Sequence, residues 1–132
     1  PIRVVNEKGL VREIEMTGAA YDIDFADDGS WFAVTVRMFD RKLSRSSNEE
    51  EQEKAFTADL VVCDEQGNIL WRRKRIAQGI GPSRCEVKIS DDEKVIVMTG
   101  VDEYKIYTYD KKGNLLKTEQ GTVEQLWRFK EW

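Results

Sequence analysis

One turn is written twice in this chain. Leu60-Val61-Val62-Cys63-Asp64-Glu65-Gln66-Gly67-Asn68-Ile69-Leu70 aligns without a gap on Ile106-Tyr107-Thr108-Tyr109-Asp110-Lys111-Lys112-Gly113-Asn114-Leu115-Leu116, 46 residues later. Such spacing marks stacked supersecondary units, each too small to bury its apolar face alone. A second match runs ahead of the turn: residues 23–35 lie on residues 87–99, at an offset of 64. The two offsets require an insertion between Thr35 and Leu60, assigned to residues 38–55.

Each unit then reads as four strands. In the second unit these cover about Cys85–Ser90, Val95–Thr99, Lys105–Tyr109 and Leu115–Glu119. Asp dominates the turns because its carboxylate accepts the turn amides, and Gly67 and Gly113 supply positive φ. The pairs Asp27/Asp28 and Asp91/Asp92 recur at equivalent turns, which favours turn chemistry over calcium ligation. Trp31-Phe32-Ala33-Val34, Val95-Ile96-Val97-Met98 and Leu60-Val61-Val62-Cys63 do not alternate apolar with polar. A strand with one solvated face would alternate. These must be middle strands of sheets covered on both sides. Trp71 is followed by Arg72-Arg73-Lys74-Arg75, as suits an outer strand protected against edge pairing. The expected fold is all-β, built from four-stranded antiparallel sheets packed face to face.

The runs Ser90-Asp91-Asp92-Glu93-Lys94-Val95-Ile96-Val97 and Tyr107-Thr108-Tyr109-Asp110-Lys111-Lys112-Gly113-Asn114-Leu115-Leu116 resemble the WD-like and PQQ-like β-propeller repeats of prokaryotes. The resemblance implies a half blade over 1–18, a blade over 19–78 with the insertion 38–55, a blade over 79–121, and the start of another over 122–132. Within it, Ile2 to Val11 matches a third and fourth strand, and Val123 to Phe129 is expected to be a first strand. No Trp-Asp dipeptide ends the third strand and no Gly-His pair precedes a blade, so no WD-type ligand network is carried over. Closed propellers use about four to eight blades, so one copy cannot close a ring. Either the chain is a fragment, or the half blade is completed by the C-terminal strand of a second copy in a heterologous ring. A compact non-propeller β domain is the remaining architecture.

Composition narrows the function classes. Basic residues number 21 and acidic residues 25, leaving a net charge of −4, which gives no electrostatic case for nucleic acid or an anionic membrane. The longest apolar runs reach about a third of a bilayer-spanning length. Pro1-Ile2-Arg3 opens directly into a strand-like run, so no secretory leader is expected. There is no histidine, which removes Ser-His-Asp and Cys-His catalysis and imidazole metal sites. Cys63 and Cys85 match no metal or redox spacing, read as buried apolar residues, and lean toward a reducing cytoplasm. Asp22 and Asp24 share one face of a first strand, but Glu86 and Lys88 replace them in the next unit, so no acidic ring repeats.

The function expected is a non-catalytic binding or assembly scaffold without a cofactor, acting on a protein partner or on itself. The alternatives are a portion of a PQQ-like enzyme that needs missing blades, and an aromatic-lined carbohydrate-binding module. The insertion is the first candidate surface, since loops carry function on a rigid scaffold. It presents Arg41 and Arg45 in a basic stretch, with a short helix expected behind a Ser47/Glu50 capping box. Met16–Gly18 and the loop ending at Arg84 are expected on the same side. Trp127 and Trp132 are candidates to seal an interface between copies. The alternative is a solvated, partly disordered loop without a ligand.

Overall fold

The computed structural model describes residues 1–5, 8–9, 11–79, 84–100 and 103–131. Three antiparallel sheets form. A two-stranded one pairs β1 (Ile2–Val5) with β2 (Val11–Ile14). The second is a meander of β3 (Ala19–Phe25), β4 (Trp31–Phe39), β5 (Phe56–Asp64) and β6 (Ile69–Gly79), with α1 (Arg41–Ser44) and α2 (Glu49–Glu53) between β4 and β5. The third is a meander of β7 (Arg84–Ile89), β8 (Val95–Gly100), β9 (Tyr104–Tyr109) and β10 (Leu115–Gly121). α3 (Val123–Trp127) and a 3-10 turn (Phe129–Glu131) follow.

The non-alternating strands bury both faces, as their composition demands. Phe32, Val34 and Val36 of β4 and Val61 and Cys63 of β5 pack against Ile2, Val4 and Ile14 of the two-stranded sheet. Trp31, Ala33, Leu60 and Val62, on the opposite face, pack against Cys85, Val87, Val95, Val97 and Tyr109 of the third sheet. The third sheet in turn buries Met98 and Ile106 against Leu126 and Phe129. Each Val, Leu, Ile, Met or Phe side chain so withdrawn from water contributes about 1.5–3 kcal/mol.

The ungapped match of residues 31–35 to 95–99 slips by one residue. Ala26 N–H donates to Trp31 O at 3.0 Å, whereas Ser90 N–H donates to Lys94 O at 2.9 Å, so the first turn holds one residue more. With a side-chain period of two, one residue reverses every side chain. Trp31 therefore faces forward into the third sheet, while Val95 faces back toward the second.

The insertion opens as an extension of the β4–β5 hairpin: Arg37↔Ala58 answers to Gly100↔Tyr104 in the third sheet, and the ladder runs on through Met38↔Thr57 and Phe39↔Phe56, whose rings lie 4.7 Å apart. Two further expectations are corrected. The helix expected in the insertion forms, but Asn48 caps it rather than Ser47: the Asn48 side chain accepts from Glu50 N–H at 2.9 Å. Three glutamates then occupy the first turn, where the helix dipole favours them.

The segment 123–129, expected as the first strand of a further unit, is helical instead: α3 over Val123–Trp127, then the 3-10 turn that opens at Phe129. Thr122 and Gln125 form a reciprocal capping box, with Gln125 N–H donating to Thr122 Oγ1 at 3.1 Å and Thr122 N–H to Gln125 Oε1 at 2.8 Å. Leu126 and Phe129, three apart, then land together on the outer face of the third sheet. Gly121 permits the close approach there: a Cβ would lie 2.7 Å from Met98 Cε. Phe129 is 1% exposed, so Phe129→Ala should cost about 3–5 kcal/mol in chemical denaturation, by uncovering Met98 and Ile106.

Candidate interaction site

The twice-written turn makes the same bonds both times. Asp64 accepts the amides of Gln66 and Asn68 at 3.0 and 2.9 Å and the Asn68 side chain at 3.1 Å. Asp110 accepts those of Lys112 and Asn114 at 2.9 Å each and the Asn114 side chain at 3.0 Å. Each turn also receives a donor from the sheet before it. Arg12 Nε of β2 donates to Glu65 O at 2.8 Å, and Trp71 Nε1 of β6 donates to Lys111 O at 2.8 Å. Gly67 and Gly113 both hold φ of 90°, and each lies where a Cβ would strike that donor strand: Glu13 O at 2.9 Å and the Trp71 ring at 2.8 Å.

The first strands are joined by a different device. β7 is the edge of its sheet, and its Val87 and Ile89 amides point off that edge. Asp22 Oδ2 accepts Val87 N–H at 2.9 Å, and Asp24 Oδ2 accepts Ile89 N–H at 2.7 Å. Lys130 Nζ from the C-terminal turn pairs with Asp22 at 2.6 Å and donates to Val87 O. The two aspartates considered for acid–base work are thus acceptors that close a sheet edge. No spacing rule flags them in the sequence; the signal was two carboxylates on one face of a first strand.

Asp59 plays a comparable part on β5. It is 3% exposed, accepts Arg72 Nε at 2.8 Å and a second Arg72 nitrogen, and accepts Arg75 N–H at 3.0 Å where Arg75 holds φ of 55°. Arg73 donates to Gly113 O and stands over the Trp71 ring. Three residues of the basic run are therefore engaged within the fold, on an edge strand as expected.

The residues singled out in the sequence do not gather. Arg41 lies on α1 and Arg45 caps its C-terminus, both exposed. Arg84 opens β7 and pairs with Glu86 at 3.4 Å. Trp127 is 80% exposed on α3. Trp132 lies outside the described residues. No hydrogen bond or ion pair links any of the four described residues to another. Gly18 does lie against Val36–Met38 at the root of the insertion, while residues 80–83 lie outside the described residues.

Among the described residues, no three His, Cys, Asp or Glu side chains group as a metal site, and no helix is long and apolar enough to cross a membrane. The paired aspartates serve their turns: Ser30 N–H and Oγ donate to Asp28, and Ser90 Oγ donates to Asp92. Glu93 holds φ of 61° where Gly29 holds 72°. Burial pushes the Cys63 and Cys85 thiols up to about 12, which keeps both protonated and unreactive.

What remains is the end that carries the two-stranded sheet. The two-stranded sheet covers β4 and β5 but only part of β3, whose Ile23 and Phe25 stay half-buried. Beside β1 a cleft of about 450 Å³ opens over Val4, Phe25 and Phe32, rimmed by Asp27 and Asp28. A comparison with known families found no model that matches the chain, and a search of curated proteins found no match either.

Removing the Asp24 carboxylate should leave the Ile89 amide exposed at the edge. Asp24→Ala is expected to cost about 1–3 kcal/mol and to accelerate hydrogen exchange at Ile89 selectively. The turn aspartates predict the pH response. The Asn68 and Asn114 side chains, with the turn amides, hold Asp64 and Asp110 below the ordinary carboxylate range. A lowered folded pKa stabilises above the unfolded value, and that contribution is lost as pH falls through the folded one. The unfolding temperature should therefore hold down to about pH 4 and drop below it, and an Asp64→Asn/Asp110→Asn variant should show a shallower drop.

Proposed function

We propose that this chain is a non-catalytic binding or assembly scaffold of β-propeller type, acting through protein–protein contact at the end that carries the two-stranded sheet. One observation supports the reading above others: the three sheets stack face to face by the same kind of apolar contact, two of them as four-stranded meanders. In the propeller reading the two-stranded sheet is a half blade, and the cleft beside it is the place for a partner. The C-terminal segment, folded as α3 on its own sheet, is not a free strand for a second copy. The net charge of −4 and the internal engagement of Arg72 and Arg73 favour a protein partner over nucleic acid. Two buried free thiols suit a reducing cytoplasm.

Val5, on β1 and 59% exposed, is the position from which to test the reading. A photo-crosslinking residue there should give a defined adduct heavier than 15.3 kDa in the producing cell. Light scattering over a dilution series then tells a second copy from another polypeptide. Absence of any adduct at Val5 would overturn the reading.

A further inference from the structure

Both four-stranded sheets hold an arginine at the same corner, and only one of the two has an acceptor. Ala58 and Tyr104, 46 residues apart like the repeated turn, pair with Arg37 and Gly100. Arg37 and Gly100 pair in turn with Ala19 and Arg84 of the first strands. Each corner thus combines one arginine with one small residue, although the arginine comes from β4 in the second sheet and from β7 in the third. Arg37 alternates with Trp31, Ala33 and Thr35, which all turn toward the third sheet. Arg84 follows the same sense, since its neighbour Cys85 packs back on the second sheet.

Their partners differ. Arg84 pairs with Glu86 at 3.4 Å. The residue 64 positions before Glu86 is Asp22, and its carboxylate is already engaged. It accepts Val87 N–H at 2.9 Å and meets Lys130 Nζ at 2.6 Å. Asp22, Glu86 and Arg37 all act on the Cys85 thiol, so they share one neighbourhood. Within it Asp22 answers to Lys130 and Glu86 to Arg84, and the charge of Arg37 is left over.

The Arg37 guanidinium lies 4.3 Å over the centre of the Tyr21 ring, and its Nε is enclosed without an acceptor. An aromatic ring satisfies the flat face of a guanidinium and leaves its in-plane donors unused. A charged donor withdrawn from water without an acceptor is costly, so an unpaired guanidinium at this depth favours an incoming anion. The corner sits on the face of β4 opposite to the one that Ile2 and Val4 cover.

We infer that the Arg37–Tyr21 corner binds a carboxylate from outside the fold, in the role that Glu86 plays beside Arg84. The site is separate from the end on which the scaffold reading rests and does not depend on that reading. The outer nitrogens of Arg37 offer a fork that a carboxylate accepts in two parallel bonds, and the Tyr21 ring fixes the plane of that fork. Lysine at this position would keep the charge and lose the fork.

The probes are succinate and a capped glutamyl peptide, titrated against the intact chain at constant ionic strength. The Arg37 Nε–H and Tyr21 ring signals are followed by NMR, with sodium chloride as the control. The expected result is a saturable shift of both signals, with binding about tenfold weaker in Arg37→Lys and lost in Arg37→Gln. Tighter binding of succinate identifies a free acid as the source, and tighter binding of the peptide an acidic protein side chain; either supports the inference. Equal shifts with chloride, or shifts that persist in Arg37→Gln, would overturn it. An Arg37 Nε–H already protected from exchange in carboxylate-free buffer would do so too, because an acceptor within the chain would then hold it. So would the absence of any saturable shift in the parent chain under excess of both probes, whether or not the variants fold.

Discussion

Strands β4 and β5 carry apolar side chains on both faces, and this double burial constrains everything around them. Phe32, Val34, Val61 and Cys63 need cover on one side, while Trp31, Ala33, Leu60 and Val62 need it on the other. A single sheet cannot satisfy both. The chain answers with a sheet on each side, and the third sheet passes the same requirement onward through Met98 and Ile106 until α3 and Phe129 end it.

Stacking alone does not define how the sheets sit on one another, because apolar contact is non-directional. Polar bonds at the margins supply direction. Trp71 and Arg12 each reach a carbonyl in the turn of the following sheet, and Asp22 and Asp24 take two edge amides of β7. Thr35 Oγ1 adds a buried bond to Cys85 O at 2.6 Å. An edge amide left in a dry interface would cost more than the bond returns, so these contacts lock one register against its neighbours.

Much of this was legible in the residues. The Asp-to-Asn turns, the two-faced middle strands and the charged outer strand follow from local chemistry, and each formed within a residue or two of the reading. The alignment of residues 31–35 on 95–99 misled because identity in pattern hides a one-residue difference in the turn. The C-terminal segment misled because Val123 to Phe129 suits a strand by composition. Its capping box and the spacing of Leu126 and Phe129 suit a helix, and the decision lay with the exposed apolar face of the third sheet.

What the sequence by itself determined is the inventory of the two repeated units: their strands, their Asp-to-Asn turns, and which strands are covered on both faces. Propensity, turn chemistry and side-chain periodicity are local, so they can be read in order along the chain. Tertiary structure alone decided that Asp22 and Asp24 close the edge of β7 and that Asp59 holds Arg72 and the bulge at Arg75. Those outcomes depend on which backbone amides the packing leaves unpaired, and that is settled only when strands distant in sequence meet.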